Sequence, residues 1–111
     1  MVYSTDHLND IVEEYVEQTV SSATDVEEIW LFGSYLNGSP NEDSDIDIAV
    51  VSERFAEDYP GTIADMCRAV WNMKSGPDIQ IHGFTPSDFE SDILAKEVKK
   101  SGRRVYLKLS E

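Results

Sequence analysis

The feature that most constrains this chain is an apolar run that stops at a small, permissive pair and is followed at a fixed interval by closely spaced acids. Ile29-Trp30-Leu31-Phe32 reads as a strand buried on both faces, and Gly33-Ser34 ends it sharply. Ten residues later Asp45-Ile46-Asp47 opens a second strand that becomes apolar through Val51. The interval contains Asn37-Gly38-Ser39-Pro40-Asn41, a cluster of turn formers that must be a loop.

That spacing has chemical content. Side chains alternate faces along a strand, so Asp45 and Asp47 project from one side. Carboxylates held that close repel each other, and cations relieve the repulsion. Carboxylates are hard oxygen ligands, and Mg²⁺ takes one or two of them together with substrate phosphate oxygens. Asp78 begins another alternating stretch, Asp78 to Phe84. If that strand lies beside 46–51, Asp78 joins the same cluster, and three carboxylates can clamp two metals roughly 4 Å apart. Gly33 lets backbone approach a phosphate, and Ser34 offers a hydroxyl and an N–H at the entry to a helical turn. A Gly-Ser pair or an Asp-x-Asp alone is commonplace; the combination at this spacing is not.

The rest of the chain supplies a frame. Leu8, Ile11, Val12, Tyr15, Val16 and Val20 recur at helical spacing behind the N-cap candidates Ser4, Thr5 and Asp6. Residues 52–61 read as a connecting loop closed by Pro60-Gly61. A helix follows, with Ile63, Met66, Cys67, Val70 and Trp71 on one face, stopped by Ser75-Gly76-Pro77. Thr85-Pro86-Ser87-Asp88 is a strong helix start, and that helix carries Phe89, Ile93, Leu94 and Val98 inward to a C-cap at Gly102. Val105 to Leu109 completes the pattern as a short strand. The expectation is a single α+β domain over residues 1–111: a small mixed sheet of about four strands covered by about three helices.

At this point the sequence resembles a known family. Leu31-Phe32-Gly33-Ser34-Tyr35 followed by Asp45-Ile46-Asp47-Ile48-Ala49-Val50 looks like the signature of the DNA polymerase β-type nucleotidyltransferase superfamily, and more narrowly of its minimal nucleotidyltransferase group. Pro77-Asp78-Ile79 resembles the third-carboxylate strand, and Gly102-Arg103-Arg104-Val105-Tyr106 the usual closing segment. The resemblance implies the palm-like nucleotidyltransferase fold, with Gly33 and Ser34 on the nucleotide phosphates. It implies Asp45, Asp47 and Asp78 as catalytic metal ligands for two Mg²⁺ or Mn²⁺ ions, Asp78 also assisting deprotonation of the acceptor. Many minimal members are similar to antitoxins that silence a HEPN-type ribonuclease by transferring AMP from ATP to a tyrosine. A partner-protein acceptor is therefore the first reading. Binding without catalysis, and transfer to a small molecule such as an aminoglycoside, are the alternatives; homo- and hetero-oligomers both remain open. One local departure is Leu36-Asn37-Gly38, where the group usually carries a basic residue.

Charge sharpens the partner reading. Nine Lys and Arg stand against 22 Asp and Glu, for a net charge of −13. Such a surface disfavours direct nucleic-acid binding and suits either simple solubility or a basic partner. Six of the nine cations crowd residues 96–108. The single cysteine, Cys67, allows no intrachain disulfide and reads as a small buried residue of the helix. No leader pattern opens the chain and no apolar run approaches a bilayer span, so a cytoplasmic location is expected. Gln80 and His82 share the predicted face of Asp78, and His82 reads as an edge or surface histidine.

Overall fold

The computed structural model describes residues 4–22, 25–33, 35, 45–73 and 78–108. Its elements are α1 (Thr5–Ser22), β1 (Val26–Phe32), β2 (Ile46–Ser52), α2 (Arg54–Glu57), α3 (Tyr59–Trp71), β3 (Ile79–Phe84), α4 (Pro86–Ser91), α5 (Ile93–Ser101) and β4 (Arg103–Leu107). This is the expected α+β class, with a four-stranded mixed sheet and, among the described residues, five helices. The expected loop at 37–41 and the helix stop at 75–77 lie outside the described residues.

The strands run in the order β3-β2-β1-β4. β1 pairs antiparallel with β2 and with β4, whereas β3 joins β2 in parallel. A parallel neighbour requires a crossover, and α2 and α3 provide it. One consequence governs everything below. The C-terminal end of β1 meets the N-terminal ends of β2, β3 and β4, so Gly33, Asp45, Asp78 and Arg103 gather at one end of the sheet.

Both faces of the sheet are covered. On one, Ile46, Ile48 and Val50 of β2 join Ile29 and Leu31 of β1 beneath Leu8, Ile11, Val12 and Tyr15 of α1 and Met66 and Ala69 of α3. Tyr15 is fully enclosed there, and burial pushes its hydroxyl pKa far above the ordinary tyrosine range. On the other face, Phe32, Ala49, Val51 and Phe84 pack against Phe89 of α4 and Ala95 and Val98 of α5. Strand β2 contributes to both layers, which is why its sequence turns from alternating to wholly apolar after Asp47.

Several expectations are corrected. Residues 52–61 are not a loop. Arg54–Glu57 is helical, and Asp58 caps α3 by accepting a hydrogen bond from the Gly61 N–H at 3.1 Å. The helix expected from 86 onward is two helices. Asp92 takes an extended conformation, ends α4, and caps α5 by accepting from the Leu94 and Ala95 N–H groups. That break rotates the second segment, so Ala95 and Val98 face inward while Ile93 is 86% and Leu94 40% exposed. Trp71, expected on the inward face of α3, is 77% exposed. Cys67 is half-buried. The final strand starts earlier than expected, at Arg103: a side-chain carbon at Gly102 would meet the carbonyl oxygens of Val98 and Leu31, and the glycine lets the chain pass close by them directly onto β1. The predicted N-cap Thr85 does accept from the Asp88 N–H, at 3.0 Å, with Pro86 in the first turn.

Candidate active site

Asp47 sits opposite Phe32 in the β1–β2 register, one residue short of Gly33. Gly33 carries the positive backbone angle φ +88°, the one described position outside the normal region for L-residues. A side-chain carbon there would collide with the Asp47 carboxylate. The glycine is therefore required twice: for the turn that leaves β1, and for the room in which the carboxylate lies against bare backbone.

The flanking acids follow from the parallel pairing. Ile46 stands in register with Ile79, so Asp45 and Asp78 precede paired residues on adjacent strands, and the Ile46 N–H donates to the Asp78 carbonyl at 2.8 Å. Both side chains are exposed. The condition set by the sequence is met, since β3 does lie beside β2 with Asp78 at its head. Among the described residues, however, no three His, Cys, Asp or Glu side chains converge closely enough to form a metal site by themselves. The arrangement is an open acidic rim at the strand ends. Its donors are of the hard oxygen type, suited to a hydrated divalent ion that shares its sphere with phosphate oxygens rather than to an all-protein cage. Ser34, the other expected phosphate contact, lies outside the described residues.

One participant was missed by sequence reasoning. His82 does lie on an edge strand, β3, but it is not on the open surface: its side chain is 24% exposed, and its Nε2 lies 3.3 Å from Asp47 Oδ1. Its ring packs edge-on against Phe32, with centroids 5.1 Å apart. The parallel register explains the placement. Asp47 pairs with Gln80 and Ala49 with His82, so a histidine two residues beyond Asp47's partner shares its face and reaches back across the small Ala49. The signal in the sequence was the alternation Asp78, Gln80, His82, which keeps one face of the strand polar beside Asp47.

The geometry can be set beside known proteins. A family model described as the nucleotidyltransferase domain matches residues 10–108. The chain belongs to this nucleotidyltransferase family. Solved structures agree on the fold. A presumed nucleotidyltransferase from Sulfolobus solfataricus superposes with a TM-score of 0.65 at 21% identity, covering 89% of this chain and 79% of that one. The toxin–antitoxin MntA–HpeT, in a form carrying two Asp-to-Glu changes, gives 0.60 at 19% identity over 86% and 73%. A toxin–antitoxin solved with AMP-PNP gives 0.53 at 19% identity over 86% and 73%. Among proteins of curated function, no match was found. The nucleotidyltransferase domain has, among its described residues, no helix long and apolar enough to cross a membrane.

Proposed function

We propose that this nucleotidyltransferase domain moves AMP from ATP onto a hydroxyl of a partner protein, in the manner of an antitoxin that modifies its HEPN-type toxin. The observation that carries the reading is the contact between Gly33 and Asp47 at the strand end where Asp45 and Asp78 also sit. Bare backbone at Gly33 beside an acidic strand end is chemically suited to a triphosphate with its divalent ions. The toxin–antitoxin likeness and the AMP-PNP bound in one such complex favour ATP and a protein acceptor. The net charge of −13 favours a basic one.

Asp45 and Asp47 would hold Mg²⁺ or Mn²⁺, which when bound neutralises phosphate charge and aligns the triphosphate. Gly33 and Ser34 would admit the phosphates to the turn. Asp78, at the head of the neighbouring strand, would accept the proton of the attacking hydroxyl. The new bond joins the acceptor oxygen to the α-phosphorus, the bond from that phosphorus to the bridging oxygen breaks, and pyrophosphate leaves. Positioning supplies most of the rate.

The test is transfer of label from [α-³²P]ATP in the presence of Mg²⁺ to a co-purified candidate partner. Asp45→Asn with Asp47→Asn is expected to abolish labelling while circular dichroism stays native. Full labelling by the double variant overturns the proposal, and inhibition of the partner by that variant without ATP favours silencing by binding alone.

A further inference from the structure

Among the described residues β4 is the outer strand on the flank away from β2 and β3, and α1 lies along it. Between them runs an open groove of about 310 Å³. Its floor is apolar, with Val12 buried and Val16 and Val105 half-buried. Its two banks carry opposite charge. The α1 bank presents Glu13 and Glu17, both exposed, on a helix that holds five acids and no Lys or Arg. The β4 bank presents Arg103, exposed, within the segment 96–108 that holds six of the nine cations. Arg103 donates to the neutral amide oxygen of Asn9 at 3.0 Å. Among the described residues, none of Glu13, Glu17 and Arg103 belongs to an ion pair.

Charge selects what can cover such a groove. A basic partner would meet Arg103 and the cationic segment around it, and a nucleic acid would meet the acids of α1. A second copy of this chain carries both banks. A two-fold axis running along the groove exchanges them, so that Glu13 and Glu17 of each copy face Arg103 of the other while the valines meet at the centre. A two-fold axis across the groove would instead set acid on acid. Isologous contacts require self-complementarity of the first kind. We propose that the chain forms a symmetric homodimer through the α1–β4 groove, with crossed pairs between Glu13 or Glu17 and Arg103 around an apolar centre of Val12, Val16 and Val105. The crossed attraction offsets the repulsion between two bodies of net charge −13 each. The contact lies on the flank opposite β3, so the acidic strand ends at Asp45 and Asp78 are left outside it in both copies. The dimer is therefore independent of the transferase reading.

Sedimentation equilibrium on the full chain across a concentration series in low-salt buffer tests the contact, with folding followed by circular dichroism and thermal melts. Wild type should approach twice the 12.5 kDa chain mass and dissociate more readily as salt is raised. Arg103→Glu, and separately Glu13→Lys with Glu17→Lys, set like charges against each other across the two-fold. Each should weaken the dimer by about tenfold or more. An equimolar mixture of the two variants should dimerise again, because Glu at 103 of one then faces Lys at 13 and 17 of the other, and the native pairs form at the second contact. Should the reversal at 103 impair folding, Arg103→Gln reads the same loss at smaller size. A wild type that stays monomeric at every concentration overturns the proposal and leaves the groove to a foreign segment. A dimer indifferent to the substitutions on either bank overturns it by placing the interface elsewhere, and a mixture no more associated than its components overturns the crossed pairing.

Discussion

Gly33 and Asp47 occupy the same space that any larger residue at position 33 would need. The turn leaving β1 and the carboxylate entering β2 are fitted to each other, and neither can be altered in isolation.

Gly33→Ala should therefore fail on two counts. Placing an L-residue at φ +88° costs about 1–2 kcal/mol, and the added carbon meets the carboxylate. Denaturant unfolding should show a loss of at least that size, and AMP-PNP binding should weaken beyond what stability explains. Combining the change with Asp47→Ala removes the collision but not the backbone strain. The two substitutions should thus couple favourably by about 0.5–3 kcal/mol. Strict additivity would show that the contact is not energetically real.

Trp71→Ala provides the opposite test. At 77% exposure the indole contributes little to the core, so its loss should change stability by only about 0.5 kcal/mol. Met66→Ala, fully buried one turn earlier on the same helix, should cost about 2–5 kcal/mol. Fluorescence gives an independent check. Trp71 should supply the red-shifted, water-like part of the emission, leaving the bluer contribution of half-buried Trp30 in the variant. A large destabilisation by Trp71→Ala would mean that the residue is covered in solution.

The acid limb of stability should depend on Asp65. This carboxylate receives the guanidinium of Arg54 and that of Arg68, each at 2.6 Å. The Arg54 hydrogen bond, aided by both positive charges, holds its pKa below the ordinary value of 3.8. A group whose folded pKa is depressed stabilises the fold above its unfolded value and loses that contribution as pH falls through the folded one. Thermal melts taken from neutral pH down through the carboxylate range should show a shallower acid decline for Asp65→Asn than for wild type. At neutral pH the variant should be the less stable. The difference should shrink in high salt, because the cluster is partly open to water. Parallel acid curves for the two proteins would show that Asp65 is not among the groups responsible.

Much of the architecture was legible in the residue order because local physics fixed it. The run Ile29–Phe32 could only be a buried strand, the heptad-like apolar spacing of α1 only an amphipathic helix, and Thr85-Pro86 only a helix start. The turn at Gly33 and the strand that opens after Asp45 were legible for the same reason: a turn and an alternating strand need no long-range information. Errors arose where two local readings competed. Asp92 was equally acceptable as a solvated residue inside a long helix or as the cap of a new one. Only the packing of Ala95 and Val98 onto β1 and β2 decided for the cap, leaving Ile93 and Leu94 outside.

Pairing between distant strands was the other matter the chain order left open. That β3 lies parallel to β2, with Ile79 opposite Ile46, is set by burial of both faces of the sheet and by the α2–α3 crossover, not by any residue taken alone. This register puts Asp78 at the acidic rim and brings His82 back to Asp47 across 35 positions of sequence. Residue types and their spacing determined what chemistry the chain can carry. The folded sheet determined which side chains share it, because contact between strands is a property of the whole core.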